Sequence, residues 1–301
     1  IWVAAALLLC GLALWTAAIV TLRRNSLRSF PWATRWYLAA TAFFSIGIPA
    51  GALMASGVPW PHGDLLSAHM VLNLAGWLGA TIVGTLHTFY PSLTQTRLRY
   101  PRLQIAAFAA WTSGVAMLAT GYGLAVAPAT VAGWLGLCLG ALALLVNVTA
   151  SLLAAPRPLS FAARVVGAAQ PFLLAAVALA AAAAIGDGAT LTGSTRATVG
   201  TLLVTGWIGL TVLGSLLHLL AVLIRVRGGL GATMPAPNPR HDAAVTTLAM
   251  AGIAASALSQ GAGLDGWRAP AAALLLAAYL ILAARITTLA GRILLHIRPS
   301  V

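Results

Sequence analysis

The chain reads AHMVLNLAGWLGATIVGTLHTFYP from Ala68 to Pro91, and this stretch decides the fold. It is long and apolar enough to cross a bilayer, because about 20 residues that rise 1.5 Å each span a hydrocarbon core of roughly 30 Å. Unlike the other apolar runs, it carries two histidines and an asparagine among recurring glycines. Polar side chains at membrane depth are costly and usually face protein or a bound group, so this segment is the first candidate for function.

The two histidines of this stretch, His69 and His87, lie eighteen residues apart. That spacing equals five turns of α-helix, so it predicts both imidazoles on one face, about 27 Å apart, with one near each edge of the bilayer. Gly76, Gly79 and Gly84 recur between them and allow a neighbouring backbone or a flat ligand to come close.

The composition indicates a polytopic all-α membrane protein. Of 301 residues, 60% are hydrophobic and 7% are charged. The apolar runs are long and continuous, whereas a membrane β-barrel shows short alternating segments, so a helical bundle is expected. All 17 basic residues are arginines, and most of them cluster between the apolar runs. The net charge of +13 therefore reports membrane topology and does not predict a nucleic-acid partner.

We predict nine membrane spans and the orientation of the chain from the position of these arginines. The predicted spans are residues 1–22, 34–57, 66–91, 104–126, 129–154, 161–186, 198–224, 243–264 and 269–293. Arginine-rich connections alternate with arginine-poor ones along the chain. The positive-inside rule then places the first residue outside the membrane and the last residue, Val301, in the cytoplasm.

The sequence also contains an internal repeat. The motif GWLGAT at Gly76–Thr81 returns as GWIGLT at Gly206–Thr211, and the offset from Gly76 to Gly206 is called the repeat interval below. This recurrence predicts one membrane domain over residues 1–301, built as two four-helix repeats and a final helix. Repeat A covers about 1–126, repeat B about 129–264, and the final helix about 269–293. The third and seventh spans should then run parallel.

Histidines at the ends of these two spans are candidate ligands for haem b. His87 and His218 end the third and seventh spans on the predicted cytoplasmic side, where neutral imidazoles suit an iron ion as an axial pair. The alternative is that both are hydrated interfacial histidines. On the outer side, His69 lies one turn inside its span and needs a ligand or a partner. Asn73, one turn further, is placed to hydrogen-bond an imidazole or a haem, or another helix.

Copper is the other metal that the sequence allows. His62 lies in a Pro/Gly turn close to His69, and Met54 and Met117 are soft donors in the outer halves of the second and fourth spans. Methionines in membrane helices are commonly packing residues, so this ligand set stays open. Asn147 and Gln170 are interpreted as structural. The predicted spans contain no aspartate or glutamate, so the carboxylate relay of a proton pump is not expected.

The third span resembles the histidine-bearing helix of the haem-copper oxidase subunit I superfamily and its NnrS-like relatives. It is still more similar to a membrane domain that precedes cupredoxin domains in actinobacterial copper-oxidase or nitrite-reductase-like chains. The seventh span resembles a later helix of that domain. The resemblance is carried by His69, Asn73, Gly76, Trp77, Gly79, Gly84, Thr85, Leu86 and Pro91.

This resemblance implies haem b, with His69 as a ligand, together with copper and electron transfer from quinol to an exterior cupredoxin or haem partner. It also implies that the native chain continues beyond Val301. One departure is clear: an oxidase copper centre needs a histidine pair on later helices, and no HH or HxH occurs in this sequence. A complete oxygen or nitric-oxide reductase is therefore not expected.

Three functions follow in order of preference. The first is a membrane haem protein for electron transfer. The second is a copper-handling or assembly protein that takes copper through His62, His69 and nearby methionines. The third is a cofactor-free structural subunit of a membrane complex, in which His69 packs against protein alone.

Overall fold

The computed structural model describes residues 1–25, 31–186, 191, 193–228 and 238–295, and every regular element in these ranges is helical. Within them, nine helices are long and apolar enough to cross a membrane, which confirms the all-α polytopic fold. The helices are α1 (Trp2–Asn25), α2 (Pro31–Ala55), α3 (Leu65–Leu93), α4 (Pro101–Gly123), α5 (Ala127–Ala154), α6 (Phe161–Gly186), α7 (Gly193–Val226), α8 (Pro239–Gly261) and α9 (Asp265–Leu295). Val301, whose side of the membrane the sequence predicts, lies outside the described residues.

The chain divides into two compact units, which are described separately. Unit 1 comprises Ile1–Phe89, Leu98–Asn147 and Val177–Leu191, and unit 2 comprises Tyr90–Arg97, Val148–Ala176 and Thr192–Val301. The predicted boundary between the two repeats, near residues 126–129, does not coincide with these limits. Helix α5 contributes to unit 1 as far as Asn147.

Glycines bring α4 and α5 together in unit 1. A Cβ atom added at Gly114 would lie 2.9 Å from the carbonyl oxygen of Gly133 and from the amide nitrogen of Leu137. Because atoms cannot approach that closely, only glycine permits this backbone contact. Small residues are the usual means by which membrane helices pack, since lipid supplies no hydrophobic drive between them.

Helices α3 and α7 each contain a nine-residue π-helical segment, at Val71–Gly79 and at Thr201–Gly209. The starts of the two segments are separated by the repeat interval. In a π-helix the backbone bonds shift from i−4 to i−5, and such segments often occur at functional sites. The predicted distance between the two histidines of α3 assumed α-helical geometry throughout, and that assumption is wrong.

The two π-segments also share a capped carbonyl. In unit 1, Trp111 Nε1 donates a hydrogen bond to the carbonyl oxygen of Ala75 over 3.0 Å. In unit 2, the Tyr279 hydroxyl donates to the carbonyl oxygen of Thr205, which follows Ala75 by the repeat interval. These bonds provide a partner in each case for a backbone oxygen in the distorted turn.

A second correspondence links α4 and α8. Each helix begins with a proline and ends with a glycine, and the offset from Pro101 to Pro239 equals that from Gly123 to Gly261. Two residues after each terminal glycine the backbone turns left-handed, with φ of 53° at Ala125 and 65° at Gly263. The offset between α4 and α8 differs from the repeat interval, and the predicted duplication stays a prediction.

The isolated polar residues of α5 and α6 are structural, as predicted. The Asn147 side chain accepts a hydrogen bond from the Tyr100 amide and donates one to the Tyr100 carbonyl. Gln170 donates to the Thr211 hydroxyl over 3.3 Å and accepts from Trp207 Nε1 over 3.0 Å. Each side chain thus satisfies groups of a neighbouring segment inside its own unit.

Candidate functional site

His69 lies near the N-terminal end of α3 and packs into a groove on α2. The groove is made by Gly47 and Gly51, which are one helical turn apart. A Cβ atom at Gly51 would lie 2.8 Å from His69 Cε1, so a larger residue there would displace the imidazole. The ring nitrogen Nδ1 lies 2.9 Å from the carbonyl oxygen of Gly47. Since a carbonyl only accepts, this geometry puts the proton on Nδ1 and leaves a lone pair on Nε2.

Asn73 secures this arrangement from the next turn of α3. Its amide nitrogen donates to the His69 carbonyl over 2.7 Å, and it also lies 3.3 Å and 3.4 Å from the two ring nitrogens. Only Nε2 has a lone pair that can accept, and an amide almost equally far from both nitrogens is not aimed directly along it. A Cβ atom at Gly47 would lie 2.9 Å from the Asn73 amide, so the same groove accommodates both side chains.

The candidate copper ligands occupy different surroundings. His62 is exposed, and its ring lies edge-on to Trp60 with centroids 5.2 Å apart. Met54 is half-buried near the end of α2, and Met117 on α4 is 45% exposed. None of these three side chains supplies the polar contacts described for His69. Among the described residues there is no group of three or more His, Cys, Asp or Glu that could hold a metal ion.

His87 lies near the C-terminal end of α3 and is only 2% exposed. Its Nδ1 lies 2.8 Å from the Val83 carbonyl, one turn earlier, which again places the proton on Nδ1. Its Nε2 is buried without a hydrogen-bond partner in the described part of the chain. The ring stacks on Trp36 of α2, with centroids 6.2 Å apart and planes inclined by 18°. His69 and His87 therefore both contact α2.

His218, the proposed partner of His87, is half-buried on α7 and belongs to unit 2, whereas His87 belongs to unit 1. The shared axial pair therefore stays a prediction. At the repeat interval, the counterpart of His87 is Leu217, and that of His69 is Val199.

An ionic cluster in unit 2 was missed by the sequence analysis. Helix α8 begins at Pro239, earlier than the predicted start at residue 243, so Asp242 lies inside the helix and is 7% exposed. Its carboxylate accepts a hydrogen bond from Arg285 of α9 over 2.7 Å. Arg285 also donates to His241 Nδ1, and its guanidinium lies 4.1 Å from the centre of the Phe161 ring.

The predicted spans contained no carboxylate, whereas the structure places Asp242 in the first turn of helix α8. The signal that could have revealed it is Arg285, a lone arginine inside an apolar run, because a buried guanidinium requires an anionic or aromatic partner. Since both charges are paired with one another, the cluster ties α8 to α9.

Comparison with known proteins found no family model, no curated protein and no solved structure that matches this chain. The resemblance carried by the third span therefore remains an expectation. What the site does must be argued from the chemistry of its own residues.

Proposed function

We propose that this chain is a membrane-embedded b-type haem protein that transfers electrons, with His69 as a haem ligand. The observation that carries the proposal is the 2.9 Å contact between His69 Nδ1 and the Gly47 carbonyl. Histidines that ligate metals almost always donate their other ring N–H to a carbonyl, carboxylate or water, which fixes the tautomer and the ring orientation.

The donor chemistry at this position fits iron. A neutral imidazole with its proton on Nδ1 carries a lone pair at Nε2, which is the form that binds haem iron. A haem would supply one-electron chemistry. The chain's own residues position the ligand. The Gly47 carbonyl orients the His69 ring, and Asn73 holds the backbone of the same turn by donating to the His69 carbonyl.

The nine apolar helices among the described residues support contact with a lipid bilayer, and the finer assignments belong to the proposal. We expect quinol as the electron donor and an exterior cupredoxin or haem protein as the acceptor, in a bacterial cytoplasmic membrane with the first residue outside. These expectations derive from the arginine distribution and from the resemblance of the third span.

A reduced-minus-oxidised visible spectrum of the purified protein tests this proposal. We expect sharp b-type bands that disappear in His69→Ala. Val199→Ala is the matched control, because Val199 occupies the corresponding position of the second repeat and is buried, and it should leave the bands unchanged. Iron and copper analysis of the same samples gives the metal content per chain.

Two outcomes contradict the proposal. Bands of full intensity in His69→Ala would remove His69 from the ligand set. A colourless wild-type protein with no iron, purified under conditions in which a known b-type protein keeps its haem, would reject haem altogether. Copper in such a colourless sample would instead favour the copper-handling function.

One observation favours the cofactor-free structural subunit as the second candidate. The imidazole of His69 fills a groove between two glycines and bonds across the helix interface, which is also what a purely structural polar residue does. Under this reading, His69→Ala weakens the contact between α2 and α3 and changes nothing spectroscopic.

A further inference from the structure

We propose that unit 1 contains a buried binding site for a hydroxyl-type oxygen, formed by His87, Trp36 and Gln104. The site lies at the C-terminal end of α3, away from the His69 groove. The inference names where a hydroxyl-bearing ligand is recognised. Quinol as that ligand rests on the proposed redox function.

The first element of the site is a hydrogen-bond acceptor. His87 Nδ1 carries the ring proton because it donates to the Val83 carbonyl over 2.8 Å. A second proton on Nε2 would place an unpaired charge in a buried position, which is strongly unfavourable. Nε2 is therefore a bare lone pair, and it is buried without a partner among the described residues. It requires a donor.

The second element is a pair of hydrogen-bond donors. The indole N–H of Trp36 and the amide nitrogen of Gln104 are also buried without partners in the described part of the chain. The Trp36 side chain is fully buried, and Gln104 is 5% exposed. Buried polar groups in folded proteins are almost always hydrogen-bonded, so three unpaired nitrogens in one region indicate a ligand or an ordered water.

Aromatic contacts place these three groups in the same region. Trp36 stacks on His87, and its ring also meets Phe108 of α4 edge-on, with centroids 5.1 Å apart and planes at 89°. Gln104 precedes Phe108 by one helical turn on the same face of α4. Trp36 therefore contacts the His87 ring directly, and through Phe108 it contacts the face of α4 that carries Gln104.

A single hydroxyl oxygen has the chemistry that completes this set. It donates its hydrogen to the Nε2 lone pair of His87 and accepts from the N–H groups of Trp36 and Gln104. Two sources share this chemistry, a buried water molecule and the ring hydroxyl of a quinol. The inference concerns binding only.

The second repeat does not contain the site. At the repeat interval, Leu217 replaces His87, and Val166 packs against Gly214 where Trp36 packs against Gly84. A set of polar atoms confined to one repeat is not required by the architecture that both share. This confinement argues for recognition of a ligand.

The inference excludes the predicted axial pair of His87 and His218, because one lone pair cannot serve both an iron ion and a hydroxyl hydrogen. Haem content separates the two assignments. If His87 holds oxygen, His87→Leu keeps the haem content of the wild type. If His87 is an iron ligand, that variant loses haem, and the inference is overturned.

Two measurements on the intact protein test the site. In the first, a short-chain benzoquinol is titrated into the purified protein in detergent by calorimetry. Loss of a hydrogen bond to a buried partner predicts about tenfold weaker binding in His87→Leu and in Gln104→Leu. His218→Leu is the matched control, since it makes the same chemical change in unit 2, and its affinity should equal that of the wild type.

In the second measurement, an electron cryo-microscopy map of the wild type at a resolution that reveals ordered water identifies an oxygen beside the three nitrogens. Density for this oxygen in a protein that does not bind quinol supports the site, with water as the source of the oxygen. Quinol affinity that falls in both variants supports it with quinol as its source. The inference is overturned if the map shows the side chains in contact with no oxygen between them and the titration shows no effect of the site. The titration shows no effect if quinol does not bind, or if it binds both variants as tightly as the wild type. The spectrum of His69→Ala is independent of all these readouts.

Discussion

Helices α3 and α7 have the same irregular backbone but different side-chain chemistry. Both contain a nine-residue π-segment that ends in glycine, and both have a carbonyl capped by an aromatic side chain from another helix of the same unit. Only α3 carries polar side chains at the candidate site. His69, Asn73 and His87 correspond to Val199, Leu203 and Leu217.

This difference shows which residues of α3 the π-helical backbone does not require. Helix α7 forms its π-segment without a histidine or an asparagine, so those side chains are not required for the distortion. Placing polar groups at membrane depth costs free energy, and a residue that the architecture does not demand is best explained by a ligand. The comparison therefore supports a functional role for the polar residues of α3.

The largest expected effect tests the close approach of α3 to α2. We predict that Gly84→Val destabilises the protein by more than about 3 kcal/mol, because a Cβ atom there meets the Cβ and Cγ atoms of the fully buried Trp36. Atoms so near the backbone cannot rotate away. Thermal unfolding in detergent measures the change, and a stable Gly84→Val protein would show that the helices are further apart.

The corresponding substitution in α7, Gly214→Val, should lower the free energy of unfolding by a smaller amount. We expect about 1–3 kcal/mol for Gly214→Val, since the nearest atom is Val166 Cγ2 at 2.6 Å, which can move by a change of rotamer. Equal losses of unfolding free energy in Gly84→Val and Gly214→Val would contradict the expected difference in packing between α3 and α7.

The next prediction compares α4 with α8. The offset that relates Pro101 to Pro239 also aligns Gln104 with Asp242, so Asp242→Gln gives unit 2 the residue of unit 1. We expect a loss of about 2–3 kcal/mol because Arg285 loses its anionic partner, less than for a fully buried pair since 29% of its side chain is exposed. Thermal unfolding of the single and double variants measures the effect.

The double variant is the decisive control. Adding Arg285→Met to Asp242→Gln should recover most of the loss, because no unpaired charge remains. If the double variant is as unstable as the sum of the single variants, the two residues do not act as a pair.

The smallest effect concerns the capped carbonyls. Tyr279→Phe removes only the hydroxyl that donates to the Thr205 carbonyl, and we expect a loss of about 1 kcal/mol. Trp111→Phe should cost more, because the indole both caps Ala75 and packs against Gly79 and Gly140. A Tyr279→Phe protein that unfolds at the same temperature as the wild type would mean that its π-segment needs no cap.

The nine spans could be predicted because length and hydrophobicity alone decide whether a helix crosses a bilayer. The third span, predicted at residues 66–91, is the helix Leu65–Leu93. The π-segments could not be predicted, because the backbone shift depends on packing between helices and leaves no local pattern beyond its glycines. Similarly, the groove for His69 is built by Gly47 and Gly51 of another helix, and nothing in the sequence joins those positions to His69.

The ionic cluster was missed for a different reason. The prediction started the eighth span at residue 243, and this small shift moved Asp242 from the helix into a connection. Its partner, Arg285, lay inside a run whose average hydrophobicity concealed it. Span prediction averages over a window, so it registers charged residues at the ends of spans poorly.

The most direct test of the account measures haem content and thermal stability together in His69→Gln. Glutamine keeps a side chain that can donate to the Gly47 carbonyl but cannot replace imidazole as an iron ligand. We predict that the variant unfolds close to the wild-type temperature and contains no haem bound through this position. If His69→Gln keeps the full haem content, or if the wild type contains none and the variant only unfolds earlier, His69 is a packing residue and the central claim is wrong.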